Sequence, residues 1–175
     1  MSRLGPGELR LSDIADEAGV TPSALVQRFG SKRDLLLALS RSWSESPSAM
    51  FADLRGRHAS PLGALREYAR CLAGLASSPS AFARSLAYLH VDLTDEDFRE
   101  TLEAYARKAR AEIARLLAAA VGASELDPGT DPDGLARTVE AILAGSLMTW
   151  AHYRDGPADA WMLADLDAVL RPYLR

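Results

Sequence analysis

Side chains able to do covalent or metal chemistry are few and scattered. His58, His90 and His152 stand far apart, and none lies in an HExxH or Cys-His spacing, so they make no zinc-ligand set. There is no glycine-rich phosphate loop and no GxSxG nucleophile elbow. Cys71, the single cysteine, excludes an intramolecular disulfide; inside an apolar helical stretch it is expected to be a buried small hydrophobe rather than a nucleophile. The acidic group Asp92, Asp95, Glu96 and Asp97 reads as a helix start rather than a metal site. No catalysis, cofactor or metal is therefore expected. Polar donors concentrate instead between residues 11 and 36, where Thr21, Ser23, Gln27, Arg28, Lys32 and Arg33 place hydroxyl, amide and cationic groups within about one short helix and the start of the next.

The elements that must hold these groups are helical. The 175 residues are 48 % hydrophobic, but Ala and Leu supply 58 of them against nine Val and Ile, a composition poor in strand formers. An all-α protein follows. Capping residues before proline mark repeated helix starts at Thr21-Pro22, Ser60-Pro61, Ser78-Pro79 and Asp131-Pro132. Ser31 with Asp34 and Thr94 with Asp97 have capping-box spacing, Ser12 is a further cap, and Gly156-Pro157 closes one helix and opens the next. Eight helices are expected, over about 12–18, 22–29, 32–56, 61–77, 79–91, 95–121, 132–154 and 157–174, the third open to a break near Ser46-Pro47. No apolar run is long enough to span a membrane, and Met1 to Arg10, with Gly5-Pro6-Gly7, lacks the core of a signal peptide and is not expected to be helical. A cytoplasmic protein without a membrane partner is expected.

Residues 11–36 stand out because their two helices are too short to be stable alone. Ile14, Ala15 and Ala18 are expected on one inner face, Val20 and Leu25 meeting it, with Gly19 taking the sharp turn between them. This is a helix-turn-helix.

The same stretch resembles the TetR family of bacterial transcriptional regulators, through Ile14-Ala15, Ala18-Gly19-Val20-Thr21, Leu25, Phe29, Ser31-Lys32 and Leu35-Leu36, without gaps. The resemblance implies a recognition helix from Thr21 to Phe29 whose N-terminal end enters the major groove. It makes Thr21, Pro22, Ser23, Gln27 and Arg28 DNA-binding residues, Gln27 toward adenine and Arg28 toward guanine, and Lys32 a phosphate contact. Phe29 would plug the small core, and Arg33 would be a phosphate ligand or simply solvated. Two departures are visible. Val26 stands where the family usually has tyrosine, and the family's first helix would precede Ile14, where only ten residues come before Leu11. The DNA-binding domain, residues 1–42, is accordingly expected to be N-terminally incomplete, leaving Ile14, Leu25 and Phe29 uncovered on one side. Residues 1–42 carry six basic and five acidic side chains, and the rest of the chain 14 and 19.

Residues 43–175 would then be a helical ligand-binding and dimerisation domain. An effector site is expected among Tyr68, Cys71, Phe82, Leu86, His90, Phe98, Tyr105 and Met148, each of which also reads as ordinary core. A four-helix interface between two subunits would use Leu143, Gly145, Leu147, Trp150, Leu166, Val169 and Leu170, unless that apolar row buries against the chain's own interior. The function implied is a homodimeric repressor that binds a palindromic double-stranded operator and responds to a small apolar or amphipathic effector. The alternative is a dimeric ligand-binding or interaction protein of the same family that has lost DNA binding.

Overall fold

The computed structural model describes residues 9–74, 76 and 78–175. Among them are nine α-helices and no strand: α1 Leu11–Ala18, α2 Pro22–Phe29, α3 Lys32–Ser44, α4 Ser46–Arg57, α5 Pro61–Gly74, α6 Pro79–Thr94, α7 Glu96–Gly122, α8 Pro132–Tyr153 and α9 Ala158–Leu170, with a 3-10 turn at Arg171–Tyr173. The expected third helix is thus two, divided just before Pro47, where proline removes a backbone donor. Gly5-Pro6-Gly7 lies outside the described residues, as do two residues of the expected 61–77 helix, Leu75 and Ser77.

Most starts are capped as the sequence indicates. Thr21 Oγ1 accepts from the Ala24 amide at 3.2 Å, Ser60 Oγ from Gly63 at 2.9 Å, Ser78 Oγ from Ala81 at 3.1 Å, and Asp131 Oδ1 from Asp133 at 3.2 Å. Ser31 and Asp34 form their box, the Asp34 amide donating to Ser31 Oγ at 3.1 Å and that hydroxyl to Asp34 Oδ2 at 2.6 Å. Three boundaries differ. The α1 start is held by the Arg10 amide donating to Asp13 Oδ2 at 2.7 Å, with Ser12 already inside the helix. Thr94 turns its hydroxyl back to the His90 carbonyl, and Asp95 instead accepts from the Asp97 amide at 3.2 Å. Arg154, with φ +56°, ends α8 in place of Gly156.

The chain divides into two compact units. One takes in the residues up to Ser46 together with Ala83–Tyr105; the other comprises Pro47–Phe82 and Ala106–Arg175. The first has a small core of Ala15, Leu25 and Leu35, with Leu11, Ile14, Phe29 and Leu39 half-buried around it. Leu25 is therefore covered, against expectation, while Ile14 and Phe29 keep an open side. Ala18 and Val20 are exposed and take no part in the inner face.

The second unit has the larger core. Phe51 and Leu54 of α4, Leu62 and Leu65 of α5, Ile113 and Leu116 of α7, Val139 and Leu143 of α8, and Leu166 and Leu170 of α9 are nearly or fully buried. The Phe51 and Tyr68 rings meet with centroids 4.5 Å apart. A buried carboxylate, Glu112, is met by Arg55 of α4 and by Arg115 one turn along α7. Glu125 closes the start of α5 from 63 residues away, accepting the Leu62 amide at 3.0 Å. The C-terminal strand-like end is tied to the same loop by the Asp127 amide donating to the Tyr173 carbonyl at 2.8 Å.

Candidate nucleic-acid interface

The geometry of α2 follows from its ends. Gly19 sits at φ +66°, a left-handed conformation that an L side chain adopts only at a cost, and its amide closes α1. Thr21 and Pro22 then fix the first turn of α2 two residues later. Gly30, at φ +84°, ends the helix with its amide on the Val26 carbonyl at 2.8 Å. With 100° per residue, the buried Leu25 and half-buried Phe29 define the inner side. Ser23 and Gln27 fall one turn apart on the opposite side, with Val26 and Arg28 on the flanks, and all four are exposed.

Each sequence-derived DNA residue can now be placed. Thr21 is exposed, but its oxygen is engaged as the cap and lies 3.0 Å from Ser23 Oγ. Pro22 is exposed at the first helical position, where its missing amide leaves nothing unsatisfied. Arg28 has its guanidinium 5.4 Å from the centroid of the Phe29 ring, and Gln27 projects free of the core. Lys32 is half-buried at the start of α3. The six groups thus lie along the outer side of α2 and the beginning of the next helix.

Arg33 is exposed, but its guanidinium is engaged by two carboxylates rather than left to solvent alone. Its Nε donates to Asp95 Oδ2 at 3.0 Å and its Nη2 to Asp95 Oδ1 at 2.6 Å and Asp97 Oδ2 at 2.7 Å, with the guanidinium 5.7 Å from the centroid of the buried Phe98 ring. The hydrogen bonds to Asp95 and Asp97 push the Arg33 pKa up, and Arg33 holds the Asp95 carboxyl below its ordinary range. This contact has no local signature, because its partners lie 62 and 64 residues away. It also changes the charge balance around the helix-turn-helix. The unit containing it carries eight basic and twelve acidic side chains, and the other unit twelve of each.

The expected effector residues do not gather in one unit. Tyr68, Cys71, Phe82 and Met148 belong to the second, while Leu86, His90, Phe98 and Tyr105 belong to the first. Cys71 is exposed, correcting the expectation of a buried hydrophobe, since it falls on the outer side of α5. His90 and Met148 are exposed too. Tyr68 and Phe98 are buried, and Phe82, Leu86 and Tyr105 half-buried. Of the expected dimer residues, Leu143, Trp150, Leu166 and Leu170 are buried in the core of their own unit, having little area left to give a partner. Trp150 Nε1 donates to the Gly156 carbonyl at 3.0 Å, which pins the turn between α8 and α9. Leu147 and Val169 are half-buried and Gly145 exposed.

No helix among the described residues is long and apolar enough to cross a membrane, and no cluster of three or more potential metal ligands occurs among them. A search of curated protein sequences finds no match. The sequence model for bacterial regulatory proteins of the tetR family matches residues 1–39, and that for the tetracyclin repressor-like C-terminal domain matches residues 86–165. Among solved structures, a protein described as a TetR-family transcriptional regulator from Rhodococcus sp. is 25 % identical, with a TM-score of 0.64 over 92 % of this chain and 87 % of its own. A protein described as a transcriptional regulator from Saccharomonospora viridis, in complex with choline, shares the fold at 20 % identity, with a TM-score of 0.78 over 99 % of this chain and 91 % of its own. NalD, the secondary repressor of the MexAB-OprM multidrug efflux pump in Pseudomonas aeruginosa, does so at 22 % identity and a TM-score of 0.65, over 98 % of this chain and 89 % of its own. With an intact helix-turn-helix at one end and both parts of the family pattern in order, this chain belongs to the TetR family of DNA-binding transcriptional regulators.

Proposed function

We propose that the chain acts in the cytoplasm as a homodimeric repressor of a palindromic operator and is released from it by a small apolar or amphipathic effector. The observation that carries the DNA reading is the exposed row of Ser23 and Gln27 opposite the buried Leu25, on a helix whose start is fixed by Gly19, Thr21 and Pro22. In this reading Gln27 and Arg28 meet base edges, while Thr21, Pro22, Ser23 and Lys32 seat the helix on the backbone. The alternative of a relative blind to DNA is not favoured, because the family pattern runs through residues 1–39. The repressor reading draws support from the fold shared with NalD, a repressor, and the effector reading from the fold shared with a regulator solved with choline.

A second copy would pack on the outer face of α8, where Ala144, Gly145 and Met148 are exposed and Leu147 is half-buried. Two such reading heads would address half-sites about 34 Å apart, and an effector that favours a form with another spacing would release the DNA. Tyr68 and Phe82 are the ring-bearing candidates for effector contact within the second unit.

Selection of duplexes from a random pool, followed by mobility shifts, tests the reading. Lys32→Ala is expected to weaken binding evenly across sequences and to lower the magnitude of the salt slope by about 1, whereas Gln27→Ala or Arg28→Ala also changes sequence preference. An unaltered preference in both reader variants would remove them from the base-reading role.

A further inference from the structure

We propose that Arg33 is a positioning residue of the DNA-reading unit, tying the start of α3 to the turn between α6 and α7 through Asp95 and Asp97 instead of contacting phosphate. The inference rests on the DNA-binding reading and adds two carboxylates, remote in sequence, to the groups that reading requires.

Four observations carry it. The Arg33–Asp95 pair is bidentate, with both oxygens of one carboxylate met by Nε and Nη2, a geometry that fixes orientation as well as distance. Asp97 takes a further bond from the same Nη2, so the Nε and Nη2 donors of the guanidinium are already engaged by carboxylates. The Phe98 ring lies against the guanidinium, and its burial anchors that side of the clamp. Asp95 also caps the first turn of α7, so its position is set by the helix as well as by the arginine. On the other side, Arg33 follows Lys32 at the start of α3, which is joined to the recognition helix only through Gly30 and Ser31. Fixing the first turn of α3 therefore fixes the end of α2.

The two roles predict opposite signs. Asp95→Asn with Asp97→Asn removes two negative charges from a unit that binds a polyanion. Were Arg33 a phosphate ligand restrained by these acids, the double variant would bind DNA more tightly and with a steeper salt dependence. Were the pair a solvated surface contact, affinity would not change. As a positioning clamp, its loss instead weakens binding to a duplex selected by the unmodified chain, by about fivefold, with an unchanged salt slope. Arg33→Ala has the same effect, and Arg33→Lys, which meets only one oxygen at a time, restores part of it.

Hydrogen exchange of the DNA-free chain supplies a readout independent of DNA binding. The double Asn variant is expected to exchange faster in the first turns of α3 and α7, with the core of the second unit unchanged. Unchanged exchange in those turns, or unchanged or tighter DNA binding by the double variant, would overturn the proposal. Failure of the unmodified chain to select any duplex would count against the regulator reading alone, because the exchange measurement decides the clamp by itself.

Discussion

Gly19 carries the turn of the helix-turn-helix at φ +66°, and a Cβ built there meets no atom within 4 Å. Its replacement therefore probes backbone strain without a packing change: Gly19→Ala is expected to cost about 1–2 kcal/mol, read as a lower urea midpoint at constant slope. A cost near zero would show that the turn does not depend on the left-handed geometry. Gly19, Thr21-Pro22 and Ser31 with Asp34 were legible because each acts on amides within a few residues of itself. Val20 and Cys71 were not, since their exposure depends on which neighbours the fold supplies. Arg33 is the clearest case: its side chain could serve phosphate, water or carboxylate equally well, and only the return of the chain at Asp95 selects among them.

At the scale of elements, α4 and α7 are joined through a carboxylate with little access to water. Glu112 is 2 % exposed, and its charge is matched by Arg55 from the other helix and Arg115 from its own. Arg55→Ala leaves that charge buried with one partner and is expected to destabilise the chain by about 1–3 kcal/mol in urea unfolding. Reverting the charge at both ends, with Glu112→Leu and Arg55→Leu together, recovers part of the loss if the penalty is desolvation. Helix order and most helix starts could be read from caps and from the apolar period, with the break near Pro47 open as a possibility. The partner of each apolar row could not. Leu143, Trp150, Leu166 and Leu170 form one row by period, and a second subunit or the chain's own interior would satisfy it equally; α9 lying against both α5 and α8 decides for the interior.

At the scale of the molecule, the charge is allotted by fold rather than by position along the chain. The reading unit is the acidic one, with eight basic against twelve acidic side chains, so specific contacts must work against an unfavourable mean field. In the proposed homodimer, avidity from a second copy would offset this, and Gly145 offers a clean test of it. Gly145 is exposed on α8, and a Cβ there meets nothing within 4 Å in the single chain. Gly145→Gln is expected to keep or raise monomer stability, helix propensity being higher, while sedimentation shows the dimer weakened at least tenfold. Dimerisation unchanged by this substitution would move the interface off this face. The reading unit is also assembled from two stretches of chain, with α1 to α3 from one and Asp95, Asp97 and Phe98 from the other. On the ribosome, where the N-terminus emerges first, the helix-turn-helix is made early yet acquires its acidic clamp only after about fifty further residues have followed. A nascent chain or proteolytic fragment ending near Ser46 therefore holds every side chain expected to touch DNA, but not the groups that hold Arg33, so competence to bind an operator comes late in synthesis.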